Sequence, residues 1–255
     1  MTLIDTHCHI YDKRFSNDIE DVIRRAQDSG LSHIITVGTD LKTVELCIEL
    51  CEKYPIVYAT AGIHPHEAKD CPPNYLNELE SFVTHPKVVA VGEIGLDYFY
   101  NFSDPDIQIR MFREQLEFAV SSDLPAIVHT RDSDDDLVHH LTQSGNRYGV
   151  VHSFSGDKSM AEKLIQLDYL ISFTGMVTFI KEALPEVVEW IAADKYMIET
   201  DSPYLTPKPF RGKKNEPAYV RYIAEKIAQI RHISVEEVAE QTTENALAFF
   251  RKLTI

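Results

Sequence analysis

Short runs rich in β-branched residues alternate along this chain with longer stretches of helical period. The runs begin near Leu3, Ile34, Ile56, Val88, Ala126, Val150, Leu170 and Tyr196, and each gives way to turn-forming residues, as strands do. Between them, Asp18–Ser29, Lys42–Lys53, Asp106–Ser121, Asp134–Ser144 and Met160–Leu167 are amphipathic and predict helices. The segment from Asp106 shows the period best, with Ile109, Phe112, Leu116 and Ala119 on one side. Two further helices are expected over Glu216–Ile230 and Val235–Lys252. Strands alternating with helices at this spacing predict parallel βαβ units. Eight of them point to an α/β fold closed into a single TIM-type (β/α)8 barrel, not an open doubly wound sheet. One domain over residues 1–255 is expected, because barrels routinely occupy this length.

The ends of these strands carry the chemistry. On the first, Asp5, His7 and His9 are two apart and share a face, with Thr6 and Cys8 opposite. Three inward polar groups are costly without a partner, and a metal ion is the most economical one. The pattern then repeats. The third strand ends in Gly62-Ile63-His64-Pro65-His66, and the fourth in Gly92-Glu93-Ile94-Gly95-Leu96-Asp97. His129-Thr130-Arg131-Asp132 ends the fifth, His152-Ser153-Phe154-Ser155-Gly156 the sixth, and Glu199-Thr200-Asp201-Ser202-Pro203 the eighth. In a barrel these ends share one face, where catalytic groups sit. Imidazoles and carboxylates without thiolates suit Zn²⁺ or Mn²⁺, and carboxylate-rich sets also accept Mg²⁺. His33, His85, His139, His140 and His232 fall in predicted helices or loops and are read as structural.

Composition narrows the setting. The 255 residues are 44% hydrophobic and 25% charged, enough apolar material for a large core. No apolar run approaches the roughly 20 residues that span a bilayer. The first residues lack a secretory pattern, so a cytoplasmic location is expected, with no membrane and no obligate protein partner. The four cysteines show no disulfide or zinc-knuckle spacing, and Cys47 and Cys51 are read as a reduced pair one helical turn apart. A net charge of −15 argues against general electrostatic attachment to duplex DNA. It leaves room for a phosphate-bearing substrate, since bound cations supply positive charge locally.

Taken together, these motifs resemble the TatD-type deoxyribonucleases among the amidohydrolase-like metal-dependent hydrolases. The resemblance runs from Asp5-Thr6-His7-Cys8-His9 to Arg211-Gly212-Lys213-Lys214-Asn215-Glu216-Pro217. Its most specific parts are Gly92–Asp97 and Glu199-Thr200-Asp201-Ser202-Pro203-Tyr204-Leu205-Thr206-Pro207, and no metal-ligand position departs from the pattern. It implies a distorted TIM barrel with two divalent cations, Mg²⁺ foremost and Mn²⁺ or Zn²⁺ as alternatives. It implies that His7, His9 and Asp201 hold one cation and His129 and His152 the other, with Glu93 bridging and His64 meeting substrate phosphate. The implied activity is 3′→5′ exonuclease cleavage of single-stranded DNA, some members acting on RNA or at abasic sites.

Elementary chemistry agrees with this reading. Two cations roughly 3.5–4 Å apart can hold the attacking and leaving oxygens of an in-line phosphoryl displacement and activate a water. Asp201 is the natural acceptor of that water's proton. Arg131 and Arg211 follow the fifth and eighth strands, where a guanidinium can meet phosphate, and Tyr204 and Phe99 are candidates for stacking on bases. The same metal cluster would also serve a hydrolase of small esters, lactones or amides. Lys208, Arg211, Lys213 and Lys214, concentrated in one loop of an acidic chain, favour the nuclease. A non-catalytic metal-binding protein is the third reading, and would be expected to lack a ligand.

Overall fold

Eight strands and nine helices alternate in the computed structural model, which describes residues 1–100 and 102–253. The first half runs β1 (Leu3–Cys8), α1 (Ile19–Asp28), β2 (Leu31–Val37), α2 (Leu41–Lys53), β3 (Val57–Ala61), α3 (Tyr75–Val83), β4 (Val88–Asp97) and α4 (Pro105–Ser121). There follow β5 (Ala126–Arg131), α5 (Asp134–Ser144), β6 (Gly149–Val151), α6 (Lys158–Gln166), β7 (Leu170–Phe173), α7 (Ala183–Trp190), β8 (Tyr196–Ile198), α8 (Val220–Arg231) and α9 (Val235–Phe249). The strands form one sheet in the order β1 to β8, and the pairings described are parallel. Beside β1 stands the end of β8, where Cys8 bridges Ser202 and the Thr6 hydroxyl donates to the Ile198 carbonyl at 3.0 Å. This is a distorted TIM barrel. No helix among the described residues is long and apolar enough to cross a membrane.

The chain divides into two compact units. One comprises Met1–Thr36, Ser153–Glu162 and Leu170–Phe249, and its core sets Leu3, Phe173, Tyr196 and Ile198 with Ile223, Ile227 and Val238 of the last two helices. The other, built on Val37–His152, packs α2 and α4 against β3 and β4. All ten residues of β4 are buried, so the strand reads as a nearly continuous apolar run broken only by glycines and acids. Its Gly95, at φ +141°, is required: a Cβ there would collide with the backbone carbonyl of His129 on β5. Local signals set the helix ends. Asp40 and Thr43 form a reciprocal capping box on α2, Pro105 opens α4, and Gly145 closes α5 at φ +66°.

Several boundaries differ from the sequence pattern. Strand β2 begins three residues before Ile34, with Leu31 already buried, and so takes in His33, which is neither helical nor in a loop. The helix expected from Glu216 starts instead with a 3-10 turn, Pro217–Tyr219, before α8 begins at Val220. The last helix stops at Phe249, short of Lys252. Helices α3 and α7 occupy stretches to which no helix was assigned. Cys47 and Cys51 are buried, reduced and on α2, as expected.

Helix α4 holds a further departure. Ile109 is only half-buried, and the buried stripe includes Gln108 and Gln115 beside Met111, Phe112, Leu116 and Ala119. Gln115 accepts the Ile63 N–H at 2.7 Å and donates to the Ile63 carbonyl at 3.1 Å. Gln108 likewise accepts the Asp97 N–H at 2.8 Å and donates to the Asp97 carbonyl at 3.0 Å. These amides dock the ends of β3 and β4 onto the helix. Replacing Gln115 by Leu keeps the bulk but leaves two buried backbone groups unsatisfied. Urea unfolding should show a loss of about 2–4 kcal/mol, and an unchanged midpoint would mean that the bonds to Ile63 contribute nothing.

Candidate metal centre

In the first unit, the end of β1 and the turn after β8 interlock through their backbones. The Asp201 N–H donates to the His7 carbonyl at 2.9 Å, and the His9 N–H to the Ser202 carbonyl at 2.7 Å. Asp201 lies at φ +53°, a conformation that aspartate tolerates better than bulkier residues. The result is a convergence of three side chains. His7 Nε2 and His9 Nε2 are 3.3 Å apart, and Asp201 Oδ1 is 3.4 Å from His9 Nε2 and 4.0 Å from His7 Nε2.

Asp5 does not join them. Its carboxylate accepts the Thr200 N–H at 2.8 Å and the Thr200 hydroxyl at 2.6 Å, so its partner is β8's continuation and not a cation. Burial pushes the Asp5 pKa well above the usual range, and the bonds from Thr200 oppose that only in part. Fully buried Asn215 secures the same turn by donating to the carbonyls of Thr200 and Tyr204.

In the second unit, one oxygen of Glu93 faces three imidazoles. Glu93 Oε1 lies 2.7 Å from His152 Nε2, 3.0 Å from His129 Nδ1 and 3.4 Å from His64 Nε2. Burial works to raise the Glu93 pKa, but His152, His64 and His129 outweigh it and hold the carboxyl well below its usual value. For His64 burial wins, pushing the imidazole down to about 4 against the pull of Glu93. Its Nδ1 accepts the His66 N–H at 3.1 Å, which leaves the proton on Nε2. His64 is therefore a neutral N–H donor aimed at Glu93.

A second carboxylate stands behind. Asp97 Oδ2 lies 2.9 Å from His66 Nε2 and 3.1 Å from His129 Nε2. Burial alone would raise its pKa, yet the bonds from His129 and His66 hold it far below the carboxylate range. Accepting from His129 Nε2–H fixes that ring's orientation and points Nδ1 toward Glu93 and His152. Against burial, Asp97 and Glu93 together raise the His129 pKa.

These donor sets fit divalent cations. Imidazole nitrogens crowded within 3.3 Å of one another repel unless a proton or cation lies between them. His7, His9 and Asp201 offer ligand atoms within 4.8 Å of one another, as do His64, Glu93 and His129, and neither group contains a thiolate. Of the residues expected to meet substrate, Arg131 is exposed at the end of β5, its guanidinium 3.9 Å from the Phe99 ring centre. Arg211 donates to the Thr206 carbonyl at 3.2 Å and covers Phe179. Tyr204 is half-exposed beneath Arg14. Lys214 is locally neutralised by Asp18 at 2.8 Å, which weakens the charge argument for that loop.

An eight-stranded parallel barrel carrying imidazole–carboxylate clusters at its strand ends is the architecture of a metal-dependent hydrolase. The whole chain is more specific still. A family model described as TatD related DNase matches residues 4–251, and the chain belongs to that family. It is 42% identical over 252 residues to the metal-dependent hydrolase YabD of Bacillus subtilis, covering 98% of this chain and 99% of that one. With the 3′–5′ ssDNA/RNA exonuclease TatD of Salmonella typhimurium it shares 32% over 257 residues, covering 97% and 98%. The crystal structure of YJJV, a TatD homologue from Escherichia coli K12, matches with a TM-score of 0.93 at 33% identity over 98% of each chain.

Asp97 is a positioning residue that the strand-end pattern does not single out. The available signal was its place four residues after Glu93 on one strand, hence on the same face. Asp97→Asn should weaken Mn²⁺ binding by about 10–100-fold, read by calorimetric titration, with the circular dichroism spectrum unchanged. Wild-type affinity in that variant would remove Asp97 from any role in presenting His129.

Proposed function

We propose that the protein is a divalent-metal-dependent deoxyribonuclease that shortens single-stranded DNA from its 3′ end, at a centre holding two cations. The observation that carries this reading is the set of imidazole and carboxylate donors converging at the strand ends of a TatD-family chain. A relative named as a 3′–5′ ssDNA/RNA exonuclease supports the substrate and polarity. The small-ester, lactone and amide reading is not favoured by that family membership, and the non-catalytic reading would predict a missing ligand where all six are present.

In this reading His7, His9 and Asp201 hold one cation and His129 and His152 the second, with Glu93 bridging them. The cations, Mg²⁺ foremost with Mn²⁺ or Zn²⁺ as alternatives, would supply Lewis acidity and neutralise charge at the phosphoryl group. Asp201, partly open to solvent, takes the proton of the attacking water on its carboxylate. His64 Nε2–H donates to a non-bridging phosphate oxygen without adding charge, because its imidazole is neutral. Arg131 and Arg211 engage flanking phosphates, and Tyr204 stacks on a base.

Glu93→Gln removes the bridging charge and Asp201→Asn the basicity, so each should reduce turnover by at least about 10²-fold. Near-normal rates with metal still bound would overturn these roles. Polarity is tested with oligonucleotides labelled at the 5′ end. A ladder shortening by single nucleotides, lost on blocking the 3′ terminus, is expected, whereas equal cleavage of closed circular DNA would mark an endonuclease.

A further inference from the structure

Three large aromatic side chains of the turn after β4 stand at the surface. Phe99, Tyr100 and Phe102 are 54%, 47% and 53% exposed. They are nonetheless ordered against one another. Tyr100 and Phe102 are parallel, with an interplanar angle of 6° and centroids 5.4 Å apart, and Phe99 meets Tyr100 edge-on at 4.9 Å. Arg131 extends its guanidinium over both Phe99, at 3.9 Å, and Tyr100, at 4.6 Å. The register of β4 and β5 brings Arg131 there by pairing it with Asp97.

Hydrogen bonds hold the backbone of Phe99, Tyr100 and Ser103. Asp97 Oδ1 accepts the N–H groups of both Phe99 and Tyr100 at 3.1 Å. The Ser103 hydroxyl accepts the Lys69 N–H and donates to the His66 carbonyl, while Gln108 donates to the Ser103 carbonyl. His66 joins the rings to the donor cluster. Its centroid is 4.8 Å from Phe102 and 5.5 Å from Tyr100 on one side, and 4.4 Å from His64 and 6.3 Å from His129 on the other.

Half-exposed rings beside a guanidinium, contiguous with a phosphoryl-handling cluster, match the chemistry of an unpaired nucleobase with its phosphate. A 3′-terminal base in a duplex is paired and stacked on its neighbour, and must first be unpaired to enter such a site. We propose that Phe99, Tyr100, Phe102 and Arg131 form a subsite that stacks the 3′-terminal base of a single-stranded substrate, with Arg131 engaging the adjoining phosphate. This rests on the nuclease reading above and adds to it a source of preference for unpaired ends.

The test uses the full chain loaded with Mn²⁺ and two oligonucleotides, one ending in an ordinary 3′ nucleotide and one in a stable abasic residue. Wild type should show a KM about tenfold lower for the ordinary end, the effect of one good stacking contact. Phe102→Ala and Phe99→Ala should erase most of that difference, acting on KM more than on kcat. Phe102→Tyr should restore it, and Trp190→Ala, an exposed aromatic elsewhere, should leave it intact. A 3′-terminal 2-aminopurine supplies a readout without turnover, its fluorescence quenched by stacking in wild type and not in the alanine variants.

Cleavage that ignores the terminal base, or alanine variants that keep the preference and the quench, would overturn the subsite alone. Ring-dependent quenching without cleavage of any oligonucleotide would uphold the subsite and overturn the nuclease reading alone. Should the alanine substitutions instead dissociate a dimer on gel filtration, the rings serve a second copy of the chain and the proposal falls.

Discussion

The buried carboxylate of Glu93 must be matched by hydrogen-bond donors or positive charge, since an uncompensated ion in so enclosed a place is strongly disfavoured. Three imidazoles meet that demand, and they come from the ends of three different strand–helix units. Each must arrive in a fixed orientation. For His129 the requirement passes to Asp97, and for His64 to the backbone N–H of His66. Satisfying one charge thus constrains the neighbouring loops in turn. The pairing of β4 with β3 and β5, and the packing of α2 on β3 and α4 on β4, provide the base on which such convergence is maintained.

Much of this was legible in the sequence. Short β-branched runs between stretches of helical period located all eight strands, because parallel strands buried on both faces leave continuous apolar runs. Histidines and acids recurring at successive strand ends pointed to the groups His7, His9, Asp201 and His64, Glu93, His129, whose ligand atoms the fold brings together. Legibility stopped where polar residues act as core. Gln108 and Gln115 look like the solvent face of α4, and only their backbone partners explain their burial. Asp5 looked like a third inward ligand, but Thr200, remote in sequence, satisfies it. The order of Phe99, Tyr100 and Phe102 was equally hidden, as it depends on Asp97 accepting two backbone N–H groups.

The acidic balance of the chain fits this economy. With 40 acidic residues against 25 Lys and Arg, a net charge of −15 disfavours holding nucleic acid over a broad face. Lys214 is committed to Asp18, and Arg25 makes a two-pronged bond with Glu216 at 2.6 Å and 2.9 Å. Local positive charge in the proposed centre would come from bound cations, and long-range attraction to polyanions would be weak.

The two glutamines of α4 lie seven residues apart, close to two helical turns and about 10 Å of helix axis. They face the same way, one gripping Ile63 beside His64 and the other gripping Asp97 behind His129. The helix therefore works as a ruler, and its pitch sets the separation of two parts of the donor cluster. Adding or deleting one residue between the glutamines would swing one amide about 100° around the axis and release its strand.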